Sequence, residues 1–176
     1  SDNIKPVIEQ VEDTALVFEV GVDPASIDWK TYFTAQDNID GPLDITQATF
    51  DTSTIDFTKV GDYVEGIIVS MTDSAENTRQ SQFKVTLYDP NNTTEPTITL
   101  KADYRTLKLD EDTAAINWKN DFVESALDKD GLDIKATITA DLSELDTSAK
   151  GTYNVPLTAI DYAGNEATVI AEVVVE

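Results

Sequence analysis

Cysteine and histidine are both absent from this 176-residue chain. Their absence removes disulfides, thiolate chemistry, Cys/His zinc sites and every histidine-based general base or triad. It says little about compartment, because cytosolic proteins and many bacterial surface proteins both manage without disulfides. No apolar run approaches the ~20 residues needed to cross a bilayer. Nor is there a signal peptide or lipidation motif, so an exported parent is expected to carry this chain as a mature or excised segment. Basic residues are scarce, with 12 Lys and Arg against 34 Asp and Glu, a net charge of −22. Divided after Asp89, the halves hold 17 acidic and 5 basic residues (−12), then 17 and 7 (−10), so the charge is uniform and not an acidic tail. Such a surface repels nucleic acid and anionic lipid, which excludes both as expected partners and argues against membrane insertion. It reads first as a solubilising, self-repelling surface; binding of divalent cations is the sharper alternative.

What is present is a pattern written twice. Pro6-Val7-Ile8 answers to Pro96-Thr97-Ile98, and Trp29 with Phe33 answers to Trp118 with Phe122. Asp40-Gly41 matches Asp130-Gly131; Ile55-Asp56, Gly61 and Tyr63 match Leu145-Asp146, Gly151 and Tyr153. Asp73, Ala75 and Asn77 match Asp161, Ala163 and Asn165, and the offsets drift only between 88 and 91. Two tandem domains follow, 1–89 and 96–176, joined by a short, proline-bracketed polar linker at 90–95. The drift is localised: Gly61 to Asp73 is 12 steps, whereas Gly151 to Asp161 is 10. Two extra residues keep a strand's inward and outward faces in step, because the side-chain period is 2.

Period-2 alternation dominates the chain. Leu16, Phe18 and Val20 share a face, as do Phe83, Val85 and Leu87, then Val155, Leu157 and Ala159, then Ala171, Val173 and Val175. Strands are expected near 6–10, 15–20, 43–50, 63–72 and 79–88, and near 96–101, 105–109, 132–140, 152–160 and 166–175, with short additional strands between them. The aromatics four apart at Trp29–Phe33 and Trp118–Phe122 predict a helical turn or irregular segment plugging each core. Pro156 should mark a strand edge or a bulge. The predicted fold class is all-β, two tandem β-sandwich domains.

The frame P-x-I … D-x-x-D-G … (I/L)-D … G-x-Y … D-x-A-x-N covers nearly the whole chain twice, most clearly in GTYNVPLTAIDYAGNEATV at 151–169. It resembles the tandem bacterial immunoglobulin-like repeats of Gram-positive cell-wall surface proteins, of LPXTG-anchored adhesin and internalin-like type. The first copy departs from the pattern, with the insertion in 61–72 and Glu76 where glycine is usual. The resemblance implies two immunoglobulin-like β-sandwich domains in an elongated arrangement, forming an extracellular segment attached to the cell wall through other parts of its parent. Such a segment would act as a stalk beside neighbouring repeats, or would bind a host protein or glycan directly as an adhesin. It supplies no catalytic residues, and the chain is not expected to be an enzyme.

Candidate sites remain to be weighed on the residues themselves. With 34 acidic residues, chance proximity of carboxylates is guaranteed, and no pair stands out as a glycosidase dyad. DNIDG (37–41) and DKDG (128–131) partly match the EF-hand loop. The first ligand position falls on Gln36 and Ala126, and the bidentate glutamate position on Gln47 and Thr137, which excludes that loop type. A looser calcium site sharing Asp37, Asp40 and Asp44, or Asp128, Asp130 and Asp133, stays open, and with it a calcium-stiffened rod. Asp and Gly at these spacings also serve tight turns. Trp29 and Trp118 could stack a sugar, but their duplication favours core packing. Asp73 with Asn77, and Asp161 with Gly164 and Asn165, read as hairpin turns, with Asn77 or Gly164/Asn165 taking the left-handed conformation. A Lys–Asn isopeptide bond from Lys5 or Lys101 to Asn77 or Asn165 is the remaining option, disfavoured because both asparagines sit at turns. Intact-mass measurement checks this: the expected mass is that of the unlinked chain, whereas each such bond would remove one ammonia.

Overall fold

Strand-forming alternation is realised along much of the chain. The computed structural model, which describes residues 1–176, is mainly β, with several antiparallel sheets and one short α-helix. Contacts divide the chain into two units, Ser1–Asp89 and Pro90–Glu176; residues 90–95, expected as a linker, fall within the second.

The first unit holds β1 (Val7–Gln10), β2 (Val17–Glu19), β3 (Phe33–Asp37), β4 (Gly41–Leu43), β5 (Thr49–Asp51), β6 (Gly61–Thr72) and β7 (Thr78–Tyr88). One sheet runs β1-β3-β4 and the other β2-β7-β6-β5. All pairs are antiparallel except β2 with β7, where Val17 stands opposite Thr86 in parallel. Ile8, Phe33 and Ala35 from the first sheet and Ile67, Val69, Met71, Val85 and Leu87 from the second share one buried cluster. The second unit contains β8 (Thr97–Leu100), α1 (Trp118–Phe122), β9 (Val123–Leu127), β10 (Thr139–Ala140), β11 (Gly151–Ile160) and β12 (Glu166–Val175). Its sheets are β8-β9 and β10-β11-β12, and Ile98, Val123 and Ala126 close against Val155, Leu157, Ala171 and Val173. The segment expected as a strand at 105–109 is reduced to one parallel bridge, Leu107 to Val175, the counterpart of β2 on β7.

Both aromatic segments form helical turns, a 3₁₀ turn at Trp29–Tyr32 and α1 at Trp118–Phe122. Each delivers a fully buried phenylalanine, Phe33 or Phe122. Burying such a ring is worth about 2–3 kcal/mol. The tryptophans take different partners: Trp29 meets Phe18 edge-on at 5.5 Å, whereas Trp118 stacks on Phe122 at 4.8 Å. The strands β3 and β9 directly follow these turns. In β3 the inward positions are Phe33, Ala35 and Asp37, so a buried aspartate ends an otherwise apolar face and hides the alternation. The stretch 43–50, expected as one strand, is interrupted by a 3₁₀ turn at Ile45–Gln47. Asp44 accepts the Thr46 N–H there and draws the backbone out of the ladder.

The drift between copies resolves to one place. In β6, Tyr63 faces Val85 and Ile67 faces Phe83, so four steps on one strand oppose two on the other. The equivalent β11–β12 ladder runs unbroken from Gly151–Val175 to Ile160–Glu166. Beyond the bulge Ile67, Val69 and Met71 point inward, as Val155, Leu157 and Ala159 do. Gly66 lets the bulge close: its φ is +36, and a Cβ there would lie 2.1 Å from the Phe83 carbonyl oxygen. Pro156 lies in an unbulged stretch of β11, opposite Ile170. Its carbonyl accepts from Asp141 beyond the end of β10, so the missing N–H falls on the side where that short edge strand stops.

The two hairpin turns share one hydrogen-bond pattern, Asp73 N–H to the Asn77 carbonyl at 3.0 Å and Asp161 N–H to the Asn165 carbonyl at 2.9 Å. The left-handed residue of the first turn is Glu76 (φ 67), not Asn77 as expected; in the second it is Gly164 (φ 92). Asn77 is held by Asp73 through both its backbone N–H and its side-chain amide, which commits it to the start of β7. The strain therefore falls one residue earlier. Replacing Glu76→Gly should raise the melting temperature of the first unit by a few degrees, since a non-glycine residue in this region costs about 1 kcal/mol. Gly164→Ala should lower that of the second by a similar amount. Differential scanning calorimetry checks both, and equal melting of Glu76→Gly and the parent would refute the strain.

Candidate functional site

The sequence placed acidic residues at most turns, and the structure shows what they hold. Asp44, Asp51, Asp56, Asp141 and Asp146 each accept the backbone N–H two residues on, at 2.9–3.0 Å. Hydrogen bonds from the Ser or Thr at that position keep all five carboxyls below their ordinary 3.8. Much of the acidic surface is thus turn-building, as the Asp-rich spacings suggested.

Three carboxylates of the first unit behave differently. Asp2 precedes β1, Asp37 ends β3, and Asp73 follows β6. Each offers a carboxylate oxygen, and these oxygens lie within 4.8 Å of one another. Asp73 is 6% exposed; its Oδ1 accepts from the N–H groups of Ala75 and Asn77, and its Oδ2 from the Asn77 amide at 2.8 Å. That same amide donates to the backbone carbonyl of Asp2. Asp37 is 5% exposed and accepts two N–H groups, from Ile39 and Asp40, both on Oδ2. Its Oδ1 is buried without any hydrogen-bond partner. None of the three takes part in an ion pair.

The other candidate calcium ligands are dispersed. Asp40 accepts from Ser74 through N–H (2.8 Å) and Oγ (2.7 Å), tying the 37–41 loop to the 73–77 turn, and these bonds lower its pKa. Asp44 is occupied with Thr46. In the second unit Asp128 is buried and its Oδ1 accepts from Asp130 and Leu132, Asp130 is exposed, and Asp133 accepts from Lys135. The grouping that does form thus keeps Asp37 and replaces Asp40 and Asp44 with Asp2 and Asp73. From the sequence Asp73 reads only as a turn residue, and nothing marks Asp2 as a ligand. The single signal available was the matched position of Asp2 and Asn92 ahead of Pro6 and Pro96.

The asparagines proposed for an isopeptide bond are engaged elsewhere. Asn77 and Asn165 both give their amides to the neighbouring aspartate and to a backbone carbonyl, and Lys101 Nζ donates to the carbonyl of Asn120. A surface depression of about 570 Å³ lies over β1, β3 and β4, lined by Val7, Glu9, Thr34, Gln36 and Pro42 among others. In the second unit Arg105 clamps Glu111 bidentately, at 2.6 and 3.1 Å, and reaches Asp121 at 3.1 Å. The guanidinium bonds, followed by the Lys108 N–H, bring the Glu111 carboxyl down from 4.5 to about 2.

Comparison with protein-family models and with curated proteins finds no match.

These depressed carboxyls set the acid response. A group whose folded-state pKa lies below its unfolded value stabilises the fold above the unfolded value, and that contribution is lost as pH falls through the folded value. Melting temperature should therefore hold steady down to about pH 5 and fall as pH drops from about 4 toward 2. Glu111→Gln should flatten the lower part of that fall. Thermal melts across pH 2–7 check it, and a chain equally stable at pH 2 and pH 6 would contradict the turn-carboxylate role.

Proposed function

We propose that the chain is a non-catalytic structural segment of a bacterial cell-surface protein. It would consist of two immunoglobulin-like β-sandwich repeats in tandem that present, or contribute to, an adhesive region. The observation that carries this reading is the duplication of a buried clamp. Asn77 bonds Asp73 and the Asp2 carbonyl, and Asn165 bonds Asp161 and the Asn92 carbonyl, so both copies spend their shared polar residues on holding the chain ahead of the first strand to the last hairpin. A module that anchors its own leading segment suits serial connection. In the second unit that anchor is the buried Asn92, within the stretch that follows β7. The parallel pairing of a short early segment with the last strand recurs in both copies and supports a sandwich in which the first strand serves both sheets. The turn-bound aspartates leave a strongly acidic exterior, suited to a segment that must stay soluble at a cell surface.

The experiment is a binding screen of the purified segment against extracellular-matrix proteins and glycan arrays. Absence of saturable binding is the expected outcome for a stalk. Saturable binding that is lost on substituting Glu9 or Gln36, in the depression over β1 and β3, would replace the stalk reading with that of a direct adhesin.

A further inference from the structure

We propose that the first unit binds one hard divalent cation, calcium fitting best, between Asp2, Asp37 and Asp73, and that the second unit fills the equivalent place with the side-chain amide of Asn92. This proposal stands independently of the stalk reading.

The argument is a comparison of the molecule with itself. The leading segments match in burial along 1–10 and 91–100 except at the second position, where Asp2 is half-buried and Asn92 is buried; Pro6 and Ile8 are inward in one and Pro96 and Ile98 in the other. Asp2 Oδ1 accepts the N–H of Ile4, and Asn92 Oδ1 accepts the N–H of Thr94. The Asp2 carbonyl accepts the Asn77 amide, and the Asn92 carbonyl accepts the Asn165 amide. With main chain and one side-chain oxygen fixed alike, the remaining atoms are Asp2 Oδ2 and Asn92 Nδ2. In the second unit Asn92 Nδ2 donates to Asp161 Oδ2 at 3.1 Å. In the first unit an oxygen takes the place of that donor and faces the Asp73 carboxylate. A carboxylate oxygen, unlike the amide N–H whose place it takes, brings no proton to the contact, and a cation between the two carboxylates would close it.

Asp37 supplies the independent sign. Its Oδ2 is filled by two N–H donors, so the oxygen it has left is Oδ1, buried and unpartnered. A buried carboxylate oxygen with no donor is costly unless a cation meets it. In the second unit Asp128 leaves no such orphan, and buried unpartnered side-chain atoms there reduce to Trp118 Nε1. Oxygens within 4.8 Å of one another are close enough to ligate a common ion at calcium–oxygen distances of about 2.3–2.6 Å. Water would complete the shell on the half-exposed Asp2 side. Calcium suits several carboxylates in irregular geometry, whereas magnesium demands a near-ideal octahedron and gives up water reluctantly. The bound ion would fasten the segment ahead of β1 to the loops after β3 and β6.

The test is isothermal titration with calcium chloride on the metal-stripped chain, paired with thermal melts in about 10 mM calcium and in chelator. Expected are one saturable site per chain and a rise of roughly 5 °C or more in the melting of the first unit alone. Asp2→Asn copies the second unit; it should keep the fold and weaken calcium binding at least tenfold. Asp37→Asn should weaken it similarly, with folding verified by circular dichroism. Asp44→Asn, at a carboxylate engaged only with Thr46, should leave the site intact. Absence of saturable binding, or binding unchanged in Asp2→Asn and Asp37→Asn, overturns the proposal, the latter by assigning the ions to the diffuse acidic surface. A response to magnesium chloride equal to or stronger than that to calcium overturns the calcium assignment.

Discussion

A carboxylate can be buried at the end of a β-fold only if donors converge on it, and that requirement organises both units. Asp73 and Asp161 are each nearly inaccessible; each collects donors from the residues two and four positions on, and Asp161 takes one more from the Asn92 amide. The asparagine that closes each turn is the pivotal donor. Its backbone N–H and one amide N–H satisfy the aspartate, and its amide also reaches the carbonyl of a residue 73 to 75 positions earlier. One short polar motif thereby sets the bend between the two longest strands and ties down the start of the unit. Losing a donor would leave a buried charged group unmet, at about 1–3 kcal/mol or more.

Around that shared clamp the copies have diverged in ways the fold tolerates. The bulge in β6 adds two residues, not one, so every side chain beyond it keeps its face. The cost is concentrated at Gly66, where the backbone passes too close to Phe83 for any Cβ. The left-handed turn residue is glycine in one copy and glutamate in the other. That exchange is affordable because the conformation costs about 1 kcal/mol, less than the clamp it completes. The third polar partner is Asp2 in one unit and Asn92 in the other, a difference of a single atom type that exchanges an amide donor for a carboxylate oxygen beside the buried aspartate.

Much of this was legible in the residues. Period-2 alternation located the long strands, the matched frame located two units, and the aromatic pairs located the helical turns. The strand β3 was obscured because its third inward residue is Asp37, and 105–109 was overread because Leu107 keeps only a bridge. Of the site, Asp37 was named as a ligand candidate and Asp73 as a turn residue, but their company was not. Nothing local separates an aspartate that caps an exposed turn, such as Asp44, from one that is buried, such as Asp37.

The sequence by itself determined the period, the repeat and the size of the insertion, because these are properties of neighbours along the chain. Strand faces alternate by covalent geometry, and a duplicated frame needs no knowledge of space. Only the tertiary structure decided that residues 2, 37 and 73 meet, that Asp40 turns to Ser74, and that Glu76 carries the strain of its turn. Those outcomes depend on which loops the sheets bring to one end, and on where water is excluded once they arrive.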